Sequence, residues 1–268
     1  MEENPLPEER VGLKVVAVTA VVLAVLFGLY WGGKKLLLPP EKVAEESSVD
    51  STTIELPKCT SDRVYRSLEE ALREPEKVCY LDLSNSGLTE LPADIAYIDR
   101  LLTLDLSGNQ LTTIHPHIGY LAQLRELDLH NNRVVELPNQ ISYLRELRRF
   151  DLSNNQLNHL PHFISYMEKL EVLDIHNNQL SALTFEIGYL GNLREFNAGN
   201  NAIAEIAVQL GYMGQLTHFD LRDNKLVALP EQMSLLSSLR EINLGGNPLS
   251  EEALNRLRSQ VPQATVTY

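Results

Sequence analysis

Carboxylates recur at a fixed interval along most of this chain. If successive copies of that interval stack as neighbouring strands, the side chains form a ladder with a spacing of about 4.8 Å. Like charges in such a ladder repel one another, so it would attract a basic partner or a divalent cation with oxygen ligands. The alternative is that aspartate serves here only as a polar strand residue. The positions, separated by 23 residues or a multiple of it, are Asp82, Asp105, Asp128, Asp151, Asp174 and Asp220.

Histidine and serine accompany these aspartates, but their spacing does not indicate a metal or catalytic site. His130 and His176 are two intervals apart, about 10 Å after stacking, which is too far for one metal ion. Asp128, His130 and Ser153 have the residue types of a hydrolase triad, without a strained nucleophile turn or an oxyanion feature. The sequence therefore predicts no metal, no cofactor, no catalytic residue and no enzymatic activity.

The interval is a repeat with its own apolar pattern. Written in eight lines of 23 from Val78, the chain has apolar residues at positions one, four, six and eleven, and Asn at position nine in every line but the first. Each line starts with the alternation typical of a strand and returns through an arc that often contains proline. One line cannot bury its leucines alone, so neighbouring lines must stack. The ninth-position Asn is predicted to point inward and to bond to buried backbone groups.

This pattern resembles the leucine-rich repeat family, with its signature L-x-x-L-x-L-x-x-N-x-L. The resemblance covers residues 78–249, and the arcs look like the short-turn class of Ras-suppressor-type and many bacterial repeats. It implies an α/β solenoid with a curved parallel sheet of eight repeats and helical caps at both ends. We expect the N-terminal cap at 58–77, with a helix after Ser67, and the C-terminal cap at 250–268, with a helix from Ser250 and a final strand at 264–268.

The resemblance also implies protein binding, because this family mostly binds partners on the concave face of the sheet. Arginines at the second position of several lines lie beside the aspartate ladder and could neutralise it internally. The residues expected to contact a protein ligand are Arg125, Glu126, Asp128, His130, Arg148, Arg149, Asp151, Glu171, Asp174, Arg194, Glu195, His218, Asp220 and Arg222.

A row of tyrosines also recurs every 23 residues. Each lies between two positions expected to be buried, which places the row on the returning, convex side. The favoured interpretation is duplication of one unit, with each ring stacked on its neighbours. The alternative is a second contact surface for self-association. The row comprises Tyr97, Tyr120, Tyr143, Tyr166, Tyr189 and Tyr212.

The N-terminal region has the pattern of a membrane anchor. After a tail at 1–14, residues 15–33 contain no charge and would span about 28 Å as a helix, close to the thickness of a bilayer core. A cleaved signal peptide is the competing interpretation, but no small-x-small cleavage site follows. Residues 34–57 are predicted to be a flexible linker. Small residues at four-residue spacing within the span would favour a homodimer through helix pairing: Ala20, Ala24, Gly28 and Gly32.

Membrane orientation is nearly undetermined, since basic residues flank the span on both sides. We expect a single-pass membrane protein with its repeats outside the cytoplasm, where Cys59 and Cys79 could form a disulfide. The net charge of −13 argues against nonspecific nucleic-acid binding. Two other functions stay open, a self-associating envelope protein and a cytoplasmic-side scaffold for a signalling enzyme.

Overall fold

A computed structural model describes residues 61–268 of the chain. The predicted tail, transmembrane helix with its small-residue face, linker and Cys59 all lie outside the described residues. No helix within the described part is long and apolar enough to cross a membrane.

Short strands dominate the described part of the chain. They are β1 (Val64–Tyr65), β2 (Tyr80–Asp82), β3 (Thr103–Asp105), β4 (Glu126–Asp128), β5 (Arg149–Asp151), β6 (Val172–Asp174), β7 (Ala182–Leu183), β8 (Glu195–Asn197), β9 (Glu205–Ile206), β10 (His218–Asp220), β11 (Glu241–Asn243) and β12 (Thr265–Thr267). All but β7 and β9 form one ten-stranded sheet in the order β1-β2-β3-β4-β5-β6-β8-β10-β11-β12. Strands β7 and β9 form a separate parallel pair in the returning arcs.

The main sheet has a constant register through its repeats. Leu81 pairs with Leu104, and Leu104 pairs with Leu127, so each strand is offset by 23 residues from the next. All of these pairings are parallel, as the repeat predicts. The middle residue of each strand from β2 to β11 is buried, and it packs with the apolar residues of the arcs into one continuous core.

The ninth-position asparagines form a ladder of buried and half-buried side chains that point inward and bond to the backbone, which confirms their predicted role. Asn132 accepts from the Leu111 N–H through Oδ1 at 3.0 Å, and its Nδ2 donates to the carbonyls of Leu106 and Leu129, each at 3.0 Å. The Leu106 carbonyl also accepts from Asn109, so each such carbonyl is shared by two successive asparagines. The amides therefore join neighbouring turns inside the core, where an unpaired backbone group would be costly.

Each main-sheet strand from β2 to β10 returns through a 3-10 helix. These helices are Ala93–Tyr97, Pro116–Tyr120, Asn139–Tyr143, His162–Tyr166, Phe185–Tyr189, Val208–Tyr212 and Glu231–Leu235. The residue before each helix's last position is always Ala, Gly or Ser. A Cβ at Gly188 would lie only 2.2 Å from the Gln209 carbonyl oxygen of the next helix. Close packing between successive helices thus accounts for the small residue.

A strand and a short helix cover the N-terminal end of the core. The helix α1 (Leu68–Ala71) begins after Ser67, whose side chain accepts from the Glu70 N–H as predicted, but it is shorter than expected. Strand β1 was not predicted. It pairs with β2 and places Tyr65 over the core.

The C-terminal end is covered in the same way. Helix α2 (Glu251–Gln260) has Ser250 as its N-cap and buries Leu254 and Leu257. Strand β12 then pairs with β11, close to the predicted final strand.

Candidate functional site

The exposed side chains of the ten-stranded sheet, with those directly before and after each strand, make a continuous surface that we call the strand face. In β4, Glu126 is exposed, Leu127 is buried and Asp128 is half-buried, and the other repeat strands follow the same alternation. All fourteen residues predicted to contact a ligand lie on this surface or at its edge. Arg125, Arg148, Glu171 and Arg194 directly precede strands, whereas His130 and Arg222 follow them by two residues.

A shallow depression occupies the centre of the strand face. It spans strands β5, β6, β8 and β10, and although Phe150 and Phe196 are among its lining residues, their side chains are buried in the core beneath the sheet. Six of its other lining residues were predicted from the sequence to contact a ligand, whereas Val172, Asn197 and the buried Leu173 were not. The six are Arg149, Asp151, Asp174, Glu195, His218 and Asp220.

The aspartate ladder has a structural role that sequence reasoning missed. Oδ1 of Asp128 accepts from the N–H of His130 at 2.9 Å, and Asp82, Asp105, Asp151, Asp174 and Asp220 make the same bond to the residue two positions later. Asn197 and Asn243 do likewise at 3.2 Å. The sequence did contain a signal for this role, because position five of the repeat is Asp in some lines and Asn in others. Both side chains offer an Oδ1 acceptor, whereas only Asp carries a charge, so the shared acceptor indicates a hydrogen-bonding role. These bonds end each strand with a side-chain turn.

A left-handed residue follows each of these turns. Asn131 and Asn154 have φ near 54°, and Gly108 and Gly246 take the same conformation in other repeats at φ 65° and 74°. Asn and Gly tolerate this region better than other residues, which explains their occurrence at the eighth position.

Two histidines bind the ladder directly. His130 Nδ1 lies 2.7 Å from Asp128 Oδ1, and His176 Nδ1 lies 2.6 Å from Asp174 Oδ1. The neighbouring ladder residue differs between the two sites, with Asp151 next to the first pair and Asn197 next to the second. Asn197 donates its amide to Asp174 Oδ2 at 3.0 Å, whereas Asp151 can only accept.

The first of these sites has shifted pKa values. Burial raises the pKa of the Asp128 carboxyl, and the hydrogen bonds from His130 oppose this effect. Burial lowers the pKa of His130, but the hydrogen bond and charge of Asp128, with Asp151 and Asp105 behind it, outweigh burial and raise it overall. Asp128, His130 and Asp151 each have a potential ligand atom within 4.8 Å of the others, so a divalent ion could bind to all three.

At the first repeat the pKa of Asp82 moves in the opposite direction. Hydrogen bonds from the Ser84 hydroxyl and N–H lower the pKa of this carboxyl, and Arg66 adds a weaker effect. The electrostatic character of the ladder therefore changes along the strand face.

The second-position arginines could have neutralised the ladder, but among the described residues none of them forms an ion pair with a ladder aspartate. Arg148 pairs with Glu171 of the same column instead of an aspartate. Among the described residues, no ion pair is formed by Arg125, Arg194 or Arg240. Two arginines outside this column approach the ladder: the Nε of Arg222 lies 3.6 Å from Asp220 Oδ2, and that of Arg66 lies 3.9 Å from Asp82 Oδ2.

The tyrosine row lies on the returning side as predicted, but the rings do not stack on one another within the described residues. Each tyrosine ends a 3-10 helix and is 48–66% exposed. Tyr120 contacts His117 and Tyr189 contacts Phe185, each ring meeting an aromatic residue of its own helix edge to face.

Cys79 is buried under the N-terminal cap and is disulfide-bonded. Its predicted partner, Cys59, lies outside the described residues. The pairing of these two cysteines stays a prediction.

Two family models match the chain. A leucine-rich repeat region matches residues 113–244, and a leucine-rich repeat model matches residues 76–134. The chain is a leucine-rich repeat protein. No curated protein matches this leucine-rich repeat chain.

Solved structures with this fold come from bacteria and plants. A leucine-rich repeat protein of Leptospira interrogans is 26% identical with a TM-score of 0.64, over 76% of this chain and 57% of that one. PEPR1 in complex with AtPEP1 is 26% identical with a TM-score of 0.62, over 72% of this chain and 28% of that one.

A third similar structure is a receptor ectodomain. The leucine-rich repeat ectodomain of the Arabidopsis thaliana membrane receptor kinase GASSHO1/SCHENGEN3, in complex with CASPARIAN STRIP INTEGRITY FACTOR 2, is 26% identical with a TM-score of 0.52. The match covers 70% of this chain and 26% of the ectodomain chain. This leucine-rich repeat protein therefore spans little more than half of the Leptospira chain and about a quarter of the PEPR1 and GASSHO1/SCHENGEN3 chains.

Proposed function

We propose that this protein is a non-enzymatic binding module whose strand face holds a protein or peptide partner. The observation that carries the proposal is the central depression, where exposed and half-buried charged side chains of both signs lie on a hydrogen-bonded sheet. Charged side chains held on a rigid sheet suit protein recognition, since complementary charges on a partner give specificity. The plant neighbours, solved in complex with AtPEP1 and CASPARIAN STRIP INTEGRITY FACTOR 2, support this assignment.

Site-specific photo-crosslinking in the native cell tests the binding face. A photoreactive amino acid at Glu195 or His218 should give a discrete adduct, because both residues line the depression. The same group at the exposed arc residues Glu168 and Val208 is the matched control. Adducts from the arc positions alone would overturn the assignment of the strand face.

Our proposal includes eight repeats of the short-turn, Ras-suppressor-like class on a single-pass membrane anchor at residues 15–33. Support for the class comes from the arcs, which from Ala93 onward contain one five-residue 3-10 helix each. Support for the anchor comes from its uncharged sequence, since it lies outside the described residues. The repeats would face away from the cytoplasm.

Protease accessibility of a tag after Tyr268 tests the orientation. Digestion of the tag in intact cells would support an extracytoplasmic repeat domain and an external partner. Protection until lysis would instead favour the cytoplasmic-side scaffold. A tag that stays in the soluble fraction after lysis would contradict the anchor itself.

Self-association is a second candidate function, favoured by the exposure of the tyrosine row. Six half-exposed rings in line offer apolar area of the kind found at protein interfaces. Chemical crosslinking of the purified full-length chain should then give dimers, which the triple change Tyr143→Ser, Tyr166→Ser and Tyr189→Ser should abolish. Val227→Ser, at another exposed apolar residue, is the control. Dimers that survive the triple change would remove the tyrosine row from consideration.

A further inference from the structure

The edge of the strand face carries a second depression near its C-terminal end. Arg194 and Arg240 lie on its two sides, two strands apart, and Thr217 occupies the equivalent position between them. Thr217 is shorter than either arginine, so the space between the two guanidinium groups stays open. Ser237 and Ser238 complete the rim.

The charge of this depression is positive and uncompensated. No Asp or Glu lines it in the part of the chain that the structure describes. A second-position arginine forms an ion pair where a carboxylate is within reach, as Arg148 does with Glu171. Arg194 has that same Glu171 on one side, already engaged, and Thr217 on the other.

Arg240 is in a similar position. Its column neighbours are Thr217 and Ala264, neither of which carries a charge. Two uncompensated cations on one cavity are notable in a chain of net charge −13. They repel one another until an anion lies between them.

Hydrogen-bond donors are available at the same place. The guanidinium groups of Arg194 and Arg240 and the hydroxyl groups of Ser237 and Ser238 have no hydrogen-bond acceptor among the described residues. Thr217 is already occupied, because its hydroxyl donates to the Arg194 carbonyl at 2.9 Å. Paired guanidinium groups with nearby hydroxyls match the several acceptor oxygens of a phosphate-sized oxyanion.

We infer that this depression, defined by Arg194, Arg240, Ser237 and Ser238, is an oxyanion site. It rests on the proposed function in one respect, since it would receive an acidic group of the partner at the edge of the strand face. A phosphoryl or sulfuryl group and a carboxylate share this chemistry.

Nuclear magnetic resonance of the full-length chain, labelled with nitrogen-15, tests the site with inorganic phosphate, sulfate and acetate as probes. Phosphate should shift the Nε–Hε signals of Arg194 and Arg240 together, with a single saturable curve and a roughly millimolar Kd. If sulfate binds as tightly as phosphate and acetate binds more weakly, the acidic group of the partner is a tetrahedral phosphoryl or sulfuryl group. Equal acetate binding identifies a carboxylate.

Matched substitutions separate the site from general salt effects. Arg194→Gln or Arg240→Gln should weaken phosphate binding about tenfold or more, because each removes a charge-assisted donor. Arg125→Gln, an unpaired arginine in the same column outside the depression, should change it less than about twofold. Backbone spectra of all three should match the parent, since these side chains are exposed.

Two results would overturn the inference. One is an equal, unsaturated shift of all exposed arginines, including Arg125. The other is an unchanged phosphate Kd in Arg194→Gln and Arg240→Gln. Neither result bears on photo-crosslinking at the central depression, because free phosphate is measured without any partner.

Discussion

Asn132 shows how much a single side chain contributes inside this solenoid. Its amide meets one N–H and two carbonyls, and those carbonyls are shared with the asparagines before and after it. A leucine could fill the volume but could not satisfy these groups. The residue is therefore fixed by backbone hydrogen bonding, although it lies in an apolar column.

Asn132→Ala should destabilise the protein by about 2–3 kcal/mol, because it leaves the buried Leu111 N–H without an acceptor and removes one donor from each of two carbonyls. Urea unfolding measures the change. Gln156→Ala, at an exposed side chain in the next repeat, is the control and should stay within about 0.5 kcal/mol. Equal losses in the two variants would contradict the buried ladder.

His130 should report on its neighbours by titration. Asp128→Asn should lower the pKa of His130, because Asp128 supplies the hydrogen bond and the nearest charge that raise it. Asp151→Asn should lower it less, since its effect is only coulombic. Proton NMR of the imidazole signal measures both shifts, and a larger effect of Asp151→Asn would refute the assigned order.

The same interaction sets a pH dependence of stability. The pKa of His130 is raised above its ordinary value of 6.5 in the folded state, so the stabilisation is complete below pH 6.5 and is lost as pH rises through the folded pKa. The parent should therefore lose stability relative to His130→Gln between pH 6 and pH 8. A parent-to-variant difference that stays constant over this interval would contradict it. The magnitude is small because both side chains are about a third exposed.

At the scale of elements, the 3-10 helices of the arcs pack as closely as the strands do. Gly188 and Gly211 face the backbone of the following helix, and Ser142 is buried in the equivalent position. Small residues thus allow successive arcs to pack at a spacing that matches that of the strands, about 4.8 Å. The tyrosine at the end of each helix stays outside this contact.

Gly188→Ala should destabilise the protein by about 1–3 kcal/mol, since its new methyl group would lie 2.2 Å from the Gln209 carbonyl oxygen. Gly191→Ala is the matched control three residues later, where a Cβ meets nothing within 4 Å. Thermal unfolding compares the two. A loss at Gly191 as large as that at Gly188 would point to glycine flexibility instead of helix packing.

The elements divide into those that the sequence predicts and those that it does not. The repeat period predicts the strands, their parallel order and the inward Asn, because burial and backbone satisfaction leave few alternatives. The sequence does not predict strand β1, because two residues are too few to show an alternating pattern. The strand is defined only by its pairing with β2.

The candidate site is predictable only in outline. Alternation places Glu126, Asp151 and His218 outward, but it does not reveal that each aspartate binds its own turn. The sequence also cannot show which arginine forms an ion pair. Arg148 and Arg194 occupy equivalent positions on either side of Glu171, but only Arg148 pairs with it. That outcome depends on competition between neighbouring side chains across strands.

At the largest scale, the described part of the chain is a stack in which each repeat contacts its nearest neighbours. Stability in such a stack comes from repeat interfaces, so the two ends are its most vulnerable points. Here β1 with α1 and α2 with β12 cover those ends.

Leu257→Ala in α2 should destabilise the C-terminal end by about 2–5 kcal/mol, because the leucine is fully buried against the last repeat. Hydrogen exchange should quicken first at Leu244 and Thr265, whose N–H groups bond across the final strands. The amides of Leu83 and Leu106 near the other end are the internal reference. Uniform acceleration at both ends would instead indicate a single cooperative unit.

The constant offset between paired strands makes this surface extensible. An in-frame duplication or loss of one repeat in the interior would join the same residue types in the same register, with asparagine meeting backbone and small residue meeting helix as before. Duplication or deletion of repeats can therefore lengthen or shorten the strand face by one strand at a time. The length of ligand that the face accommodates would change with it, and no new type of contact between repeats would be needed.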